Sequence, residues 1–228
     1  MDISAVWVSM KTASVSIVFT FFLGILAARG VVAIRSEKVK VLVDGLLTLP
    51  LVLPPTVAGF FLLYILGVRR PLGEFLLNVF GVKIVFTWSA TVVAAVVISF
   101  PLMYRSARGA FEQVDQTLIH AARTIGLSEW RIFWRIIMPL ALPGVASGGI
   151  LAFARGLGEF GATAMIAGNI AGKTRTLPLA VYSAVAGGNM EEAYGYVAIL
   201  VGISFLVVVG MNWFTARERR YLGKGAKG

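Results

Sequence analysis

Five apolar windows, each about as long as the hydrocarbon layer of a membrane is thick, constrain this chain more than any other feature. They fall near Trp7 to Ala28, Val41 to Val68, Ile84 to Tyr104, Leu140 to Gly168 and Ala193 to Ala216. A helix needs roughly 20 mostly apolar residues to cross about 30 Å of hydrocarbon. Lipid offers no partner for backbone amides, so spanning segments close their hydrogen bonds internally. The expected fold is therefore an all-α membrane protein of about five transmembrane helices. With 58% hydrophobic and 14% charged residues over 228 positions, the apolar surface exceeds what a soluble domain of this size can cover. No linker or solenoid-length repeat divides the sequence, so residues 1–228 are expected to form one transmembrane domain.

Composition also narrows the chemistry. The chain has no cysteine and a single histidine, which removes disulfides, thiolate sites, thiol nucleophiles and any His-rich metal cluster. No metal or cofactor is expected. A net charge of +10 would suggest nucleic acid in a soluble protein, but no nucleic-acid partner is expected here, because the charge divides by loop. Fourteen Lys and Arg lie in Arg29 to Lys40, Arg105 to Arg135 and Arg217 to Lys227. Six lie in Met1 to Lys11, Arg69 to Lys83 and Lys173 to Arg175. The positive-inside rule places the first set in the cytoplasm, with the N-terminus outside and the C-terminus inside. The first window lacks a basic start and runs into a basic flank, so it is expected to stay as an anchor and not to be cleaved as a signal peptide. Thr176 to Gly187 is too short to span and is expected as an external or re-entrant helix.

The stretch Gln116 to Gly144, QTLIHAARTIGLSEWRIFWRIIMPLALPG, is the one long polar segment among these windows. Asp115 is suited to cap a first helix and Gly126 to end it in the left-handed conformation. Ser128 and Glu129 suit the start of a second helix, and Pro139 is expected to stop it. Trp130, Phe133, Trp134 and Ile137 fall at i, i+3, i+4 and i+7, an apolar stripe, with Arg131 and Arg135 on another side. The alternative is an amphipathic helix lying on the lipid surface.

Two windows carry interruptions. Leu49-Pro50-Leu51-Val52-Leu53-Pro54-Pro55 is expected to break the second helix three times, leaving carbonyls that have to face protein or water. Broken helices near mid-membrane are where transporters place substrate routes; a structural kink is the alternative. In the fourth window, Arg155 and Glu159 are four residues apart, on one helix face, beside Gly156, Gly158, Gly161 and Thr163. The pair either lines or gates a route or forms a buried structural bridge. No nucleophile or metal ligand accompanies it, which argues against an intramembrane enzyme. Ala167 followed by Gly172-Lys173-Thr174 matches a relaxed phosphate-binding loop, but it lacks the strand-to-helix setting that such a loop requires.

The residues Ala121-Ala122, Gly126, Ile136 and Pro139, at their spacing, resemble the cytoplasmic coupling loop of ABC importer permeases, with His120 in place of Glu and Met138 in place of Leu. Beyond the loop, LPLVLPPTVAGFFLLYILG from Leu49, FPLMYRSARGAFEQVDQTLIHAARTIG from Phe100 and LAFARGLGEFGATAMIAGNIAGKTRTLPLAVY from Leu151 are similar to the molybdate importer permeases, within the molybdate, tungstate and sulfate group. The resemblance implies the type I importer permease fold with a cytoplasmic coupling helix pair at about 105–139. It implies ATPase coupling through His120, Ala121, Ala122, Arg123, Gly126, Leu127 and Trp130, and a translocation path near Pro50, Pro54, Pro55, Arg155, Glu159, Gly161 and Thr163. The implied partners are a second copy of the chain, two cytoplasmic ABC ATPases and an extracytoplasmic molybdate-binding protein, in the lipid bilayer of the plasma membrane. The implied cycle is alternating access, with no covalent chemistry in the permease. A sulfate or thiosulfate ABC permease is the first alternative, and an ion-coupled secondary transporter is the alternative from another class. It calls for intramembrane carboxylates to bind the coupling ion and has no use for an ATPase dock.

The loop charges make topology testable. A C-terminal green fluorescent fusion is expected to fluoresce and a C-terminal alkaline phosphatase fusion to be inactive; the reverse pattern would overturn the orientation.

Overall fold

The structure, a computed structural model, describes residues 2–225, with side chains described through Gly210 and at Trp213. The side chains of the basic stretch Arg217 to Lys227 lie outside the described residues. Among those described the chain is helical without strands. In order it forms α1 (Ser4–Val32), α2 (Glu37–Val52), α3 (Pro55–Leu66), α4 (Pro71–Phe80), α5 (Trp88–Glu112), α6 (Gln116–Thr124), α7 (Glu129–Ile132), α8 (Met138–Leu157), α9 (Gly161–Ala167), α10 (Leu177–Ala186) and α11 (Met190–Gly225).

Four stretches are long and apolar enough to span: Ser4–Val32, Trp88–Glu112, Glu129–Leu157 and Met190–Gly210. The second window does not form one straight span. Its halves α2 and α3 meet at 110° and make a fifth crossing only if taken as one bent pair. The three prolines act differently from one another. Pro50 sits inside α2, Pro55 occupies the first turn of α3, where no amide is needed, and the bend falls at Leu53-Pro54.

A second correction concerns Pro139, which does not stop the docking helix. The segment from Phe133 to Ile137 is a π-helical turn in which the Met138 amide donates to the Phe133 carbonyl, five residues back. Proline lacks a donor and clashes with the carbonyl four residues before it; widening the turn by one residue removes that conflict. Docking segment and fourth span therefore run on as one helix. A third departure is α4, in a connection expected as loop. Pro71 opens it, and Gly81 at φ 64° ends it.

α5 is the central element, packed by α1, α8, α9, α2 and α3. Its face toward α1 is small and hydroxylated, which lets backbones approach closely. Thr12 and Thr91 share a 2.8 Å hydrogen bond, Thr20 and Ser99 share one of 3.1 Å, and the Trp88 indole N–H donates to Thr12 Oγ1 at 3.1 Å. One apolar core joins the C-terminal halves of α1 and α5 to α6, α7 and α8 around Met103, Tyr104, Phe111 and Ile132. Another joins α3, the start of α5 and α9 around Ala58, Ile98 and Ile166. A third joins the start of α1 to α10 and α11.

The α3–α9 contact is backbone against backbone. A Cβ placed on Gly59 would lie 2.7 Å from Ala162 Cα and 2.9 Å from the Ala162 carbonyl oxygen. Neither atom has freedom to retreat. Gly30, by contrast, has nothing within 4 Å of such a Cβ. Gly59→Ala is expected to destabilise the detergent-solubilised protein by about 1–3 kcal/mol through overpacking. Gly30→Ala is expected to be neutral or to gain up to roughly 1 kcal/mol. Thermal unfolding followed by tryptophan fluorescence checks both, and equal melting temperatures would contradict the packing described.

Candidate functional site

The docking loop is built by local capping. Asp115 accepts a 2.8 Å hydrogen bond from the Thr117 amide at the start of α6, and bonds from the Thr117 backbone and hydroxyl hold its carboxyl below the ordinary range. At the other end the Leu127 amide donates to the Ala122 carbonyl and the Gly126 amide to the Arg123 carbonyl. With Gly126 at φ 81°, these two bonds make a Schellman ending. A Cβ at Gly126 would meet nothing within 4 Å, so the requirement for glycine comes from φ and not from space. Ser128 stands at the N-cap of α7 without a side-chain bond. Glu129 instead clasps Arg123, with Nε–Oε1 at 2.7 Å and Nη2–Oε2 at 3.1 Å, and so fixes the angle between the two short helices.

The loop is anchored from beneath and bare on top. Ile119, Ala122, Ile132 and Phe133 are buried against α1 and α5. The Arg29 guanidinium from the end of α1 stacks 4.4 Å from the Phe133 ring and 5.0 Å from Trp130. Of the residues expected to carry coupling, His120, Ala121, Arg123, Gly126 and Trp130 are exposed, Leu127 is half-buried, and Ala122 packs inward. Ile125, 76% exposed at the tip, stands beside them and went unnoticed in the sequence. An apolar residue just before a helix-ending glycine was its signal. Trp130 and Trp134 form an edge-to-face pair, both still largely exposed. The loop thus presents an apolar tip flanked by arginines on a backbone held by its caps and by the core beneath it.

The interruptions in the second and fourth windows come together. A Cβ on Gly161 would lie 3.1 Å from both Pro55 Cβ and the Thr56 nitrogen, so the starts of α3 and α9 face one another. Glu159, 2% exposed, sits in the gap between α8 and α9 and uses both carboxylate oxygens. One accepts from Arg155 Nη1 at 2.8 Å, the other from the Ala162 amide at 2.8 Å. The carboxylate thus caps α9 and neutralises Arg155 at once. Thr163 is buried in α9, Pro54 is exposed at the bend, and Pro50 lies back along α2.

A second charged group was missed. Asp44 lies inside the second apolar window, where a lone charge is costly, and that position was its signal. It accepts from the Tyr104 hydroxyl at 2.8 Å and pairs with Arg108. Arg108 also reaches Glu112 at 2.9 Å, and Lys40 reaches Glu112 at 3.2 Å. Among the described residues no group of three or more His, Cys, Asp or Glu is arranged to hold a metal ion.

Comparison with known proteins agrees with this architecture. Residues 20–222 match the family model described as the binding-protein-dependent transport system inner membrane component. The chain is 41% identical over 221 residues to the molybdenum transport system permease protein ModB of Escherichia coli (strain K12), covering 96% of each. It is 43% identical over 200 residues to the putative molybdenum transport system permease protein YvgM of Bacillus subtilis (strain 168), covering 88% of each. Among solved structures, a chain of the inward-facing MetNI methionine ABC transporter superposes with a TM-score of 0.74 at 18% identity, over 93% of this chain and 94% of that one. A bacterial transporter that imports the acidic polysaccharide alginate gives 0.74 at 16%, over 94% and 79%. The chain is a multi-pass membrane protein with the type I ABC importer permease fold, and it belongs to the family of binding-protein-dependent transport system inner membrane components.

Proposed function

We propose that this chain is the membrane subunit through which an ATP-driven importer moves molybdate across the plasma membrane by alternating access. The observation that carries the coupling role is the docking loop, locked by the Schellman ending at Gly126 and the Arg123–Glu129 clasp, with an exposed apolar tip. The choice of molybdate rests on relatives that are molybdenum permeases at about 40% identity along nearly the whole chain. The permease acts as one of two copies, with the N-terminus outside, the C-terminus and the loop in the cytoplasm, and an ATPase under each loop. ATP hydrolysis belongs to those partners. A molybdate-binding protein on the outer side delivers the anion.

In this reading His120, Ala121, Arg123, Ile125, Leu127 and Trp130 meet the ATPase, while Ala122 and Gly126 shape the loop that presents them. The route passes the junction of the two broken spans, near Pro54, Pro55 and Gly161. Pro50 bends its approach, and the Arg155–Glu159 pair and Thr163 stiffen its wall. Binding closes one packing of the dimer and releases the other, so transport follows from differential stabilisation of two arrangements.

The test is uptake by the permease reconstituted with its own ATPase and binding protein, with molybdate, tungstate and sulfate in competition. Molybdate is expected to enter and tungstate to compete; sulfate uptake that molybdate fails to inhibit overturns the substrate. In the same system Gly126→Val, a β-branched residue where φ is positive, costs the loop about 1 kcal/mol or more. It is expected to reduce ATPase capture and uptake while membrane insertion is kept. Gly126→Asn, which tolerates that conformation better, is expected to retain more of both.

A further inference from the structure

α2 is the least anchored of the long helices. None of its side chains is buried, and Leu42, Leu46 and Val52 are each more than two-thirds exposed. What holds it to the bundle is one stripe, Lys40, Val43, Asp44 and Leu47, at i, i+3, i+4 and i+7. Val43 and Leu47 pack on the core that contains Tyr104 and Phe111. Lys40 and Asp44 reach the polar groups of α5: Lys40 pairs with Glu112, and Asp44 with Arg108 and the Tyr104 hydroxyl.

This stripe lies between the two parts of the molecule that have to move together. Glu112 is the last residue of α5, three positions before Asp115, which caps the docking helix α6. The far end of α2 is the 110° bend. Beyond the bend, Gly59 of α3 rests on the Ala162 backbone and Gly161 rests on Pro55 and Thr56. Prolines at 54 and 55 remove two amides that would otherwise carry the helix across the bend, so α3 can follow α2 only if the position of α2 is fixed elsewhere. Apolar contact alone is non-directional and lets two helices slide. A guanidinium that spans Asp44 on one helix and Glu112 on the other, in a half-buried setting, fixes their register.

We infer that Asp44 and Arg108, with Tyr104, Glu112 and Lys40, are positioning residues that carry displacement of the docking loop into the bent α2–α3 pair. The inference rests on the coupling role proposed above. When the loop shifts, the end of α5 shifts with it, the linkage draws α2 along, and α3 turns against α9 at the junction of the two breaks. Without the linkage, ATPase movement reaches α5 and stops there.

The experiment uses the whole complex of permease, ATPase and binding protein in proteoliposomes, reading copurified ATPase, ATP hydrolysis and molybdate uptake. Asp44→Asn and Arg108→Gln are expected to keep assembly and hydrolysis near the wild-type level while uptake per ATP falls about tenfold or more, within the usual range of coupling energies. Tyr104→Phe, which removes a single hydroxyl, is expected to lower uptake per ATP about threefold. Unchanged uptake per ATP in all three overturns the linkage. A parallel loss of assembly, hydrolysis and uptake that extends to Tyr104→Phe also overturns it, leaving a purely structural contact. A wild-type permease that captures no ATPase overturns the coupling role itself, which separates that failure from this one.

Discussion

A backbone amide or carbonyl without a partner in hydrocarbon costs several kcal/mol, and this chain breaks its helices twice inside apolar windows, after Val52 and after Leu157. The structure resolves both problems at one place. The start of α3 and the start of α9 lie against each other with glycine at each contact. Glu159 supplies an acceptor for the Ala162 amide and a counter-charge for Arg155. Much of the remaining architecture follows from this meeting. α5 has to pass close enough to seal it from behind, which Ala90 and Ala94 on its side toward α3 and α9 permit. α2 has to arrive at a steep angle, which leaves it with little burial of its own.

The docking loop solves a different problem, holding a shape outside the bilayer with few residues. The nine-residue α6 is far too short to be stable alone, whereas α7 is the first turn of the long helix that continues into α8. The loop persists because Asp115 caps the start of α6, the Leu127 and Gly126 amides close its end, and Ile119, Ala122, Ile132 and Phe133 sink into the core at the end of α1 and α5. Apolar anchors below and fixed caps at the sides leave the tip free to be apolar without collapsing inward.

How much of this was legible depended on whether the signal was local. Asp115 and Gly126 announced the docking loop because capping and left-handed φ are properties of single residues in short context. The spans announced themselves by length. Pro139 misled because a proline reads as a stop, whereas a π-helical turn, formed only by a helix continuing on both sides, absorbs it. The 110° bend could not be read from Leu53-Pro54-Pro55, since prolines say where a helix breaks and not at what angle it resumes. Glu159 was visible as Arg155's partner, but its second bond, to Ala162, requires the chain to turn just after Gly158. Besides Arg155 and Glu159, Lys11 at the edge of the first window and Asp44 inside the second were legible in principle. Lys11 lies 4.0 Å from the Trp88 ring and Asp44 sits beside Arg108; only tertiary structure names those partners.

The widened turn at Phe133–Ile137 has a mechanical side. Because the helix does not stop at Pro139, Trp130 on the docking surface and Arg155 beside the helix breaks belong to one rod of about 38 Å at 1.5 Å per residue. Pivoting near its middle, such a rod moves its two ends in opposite directions by about one to two ångströms for a tilt of a few degrees. The point about which it can pivot is the crossing with α5, where Gly144 and Gly148 lie against Ala110 and Ser106.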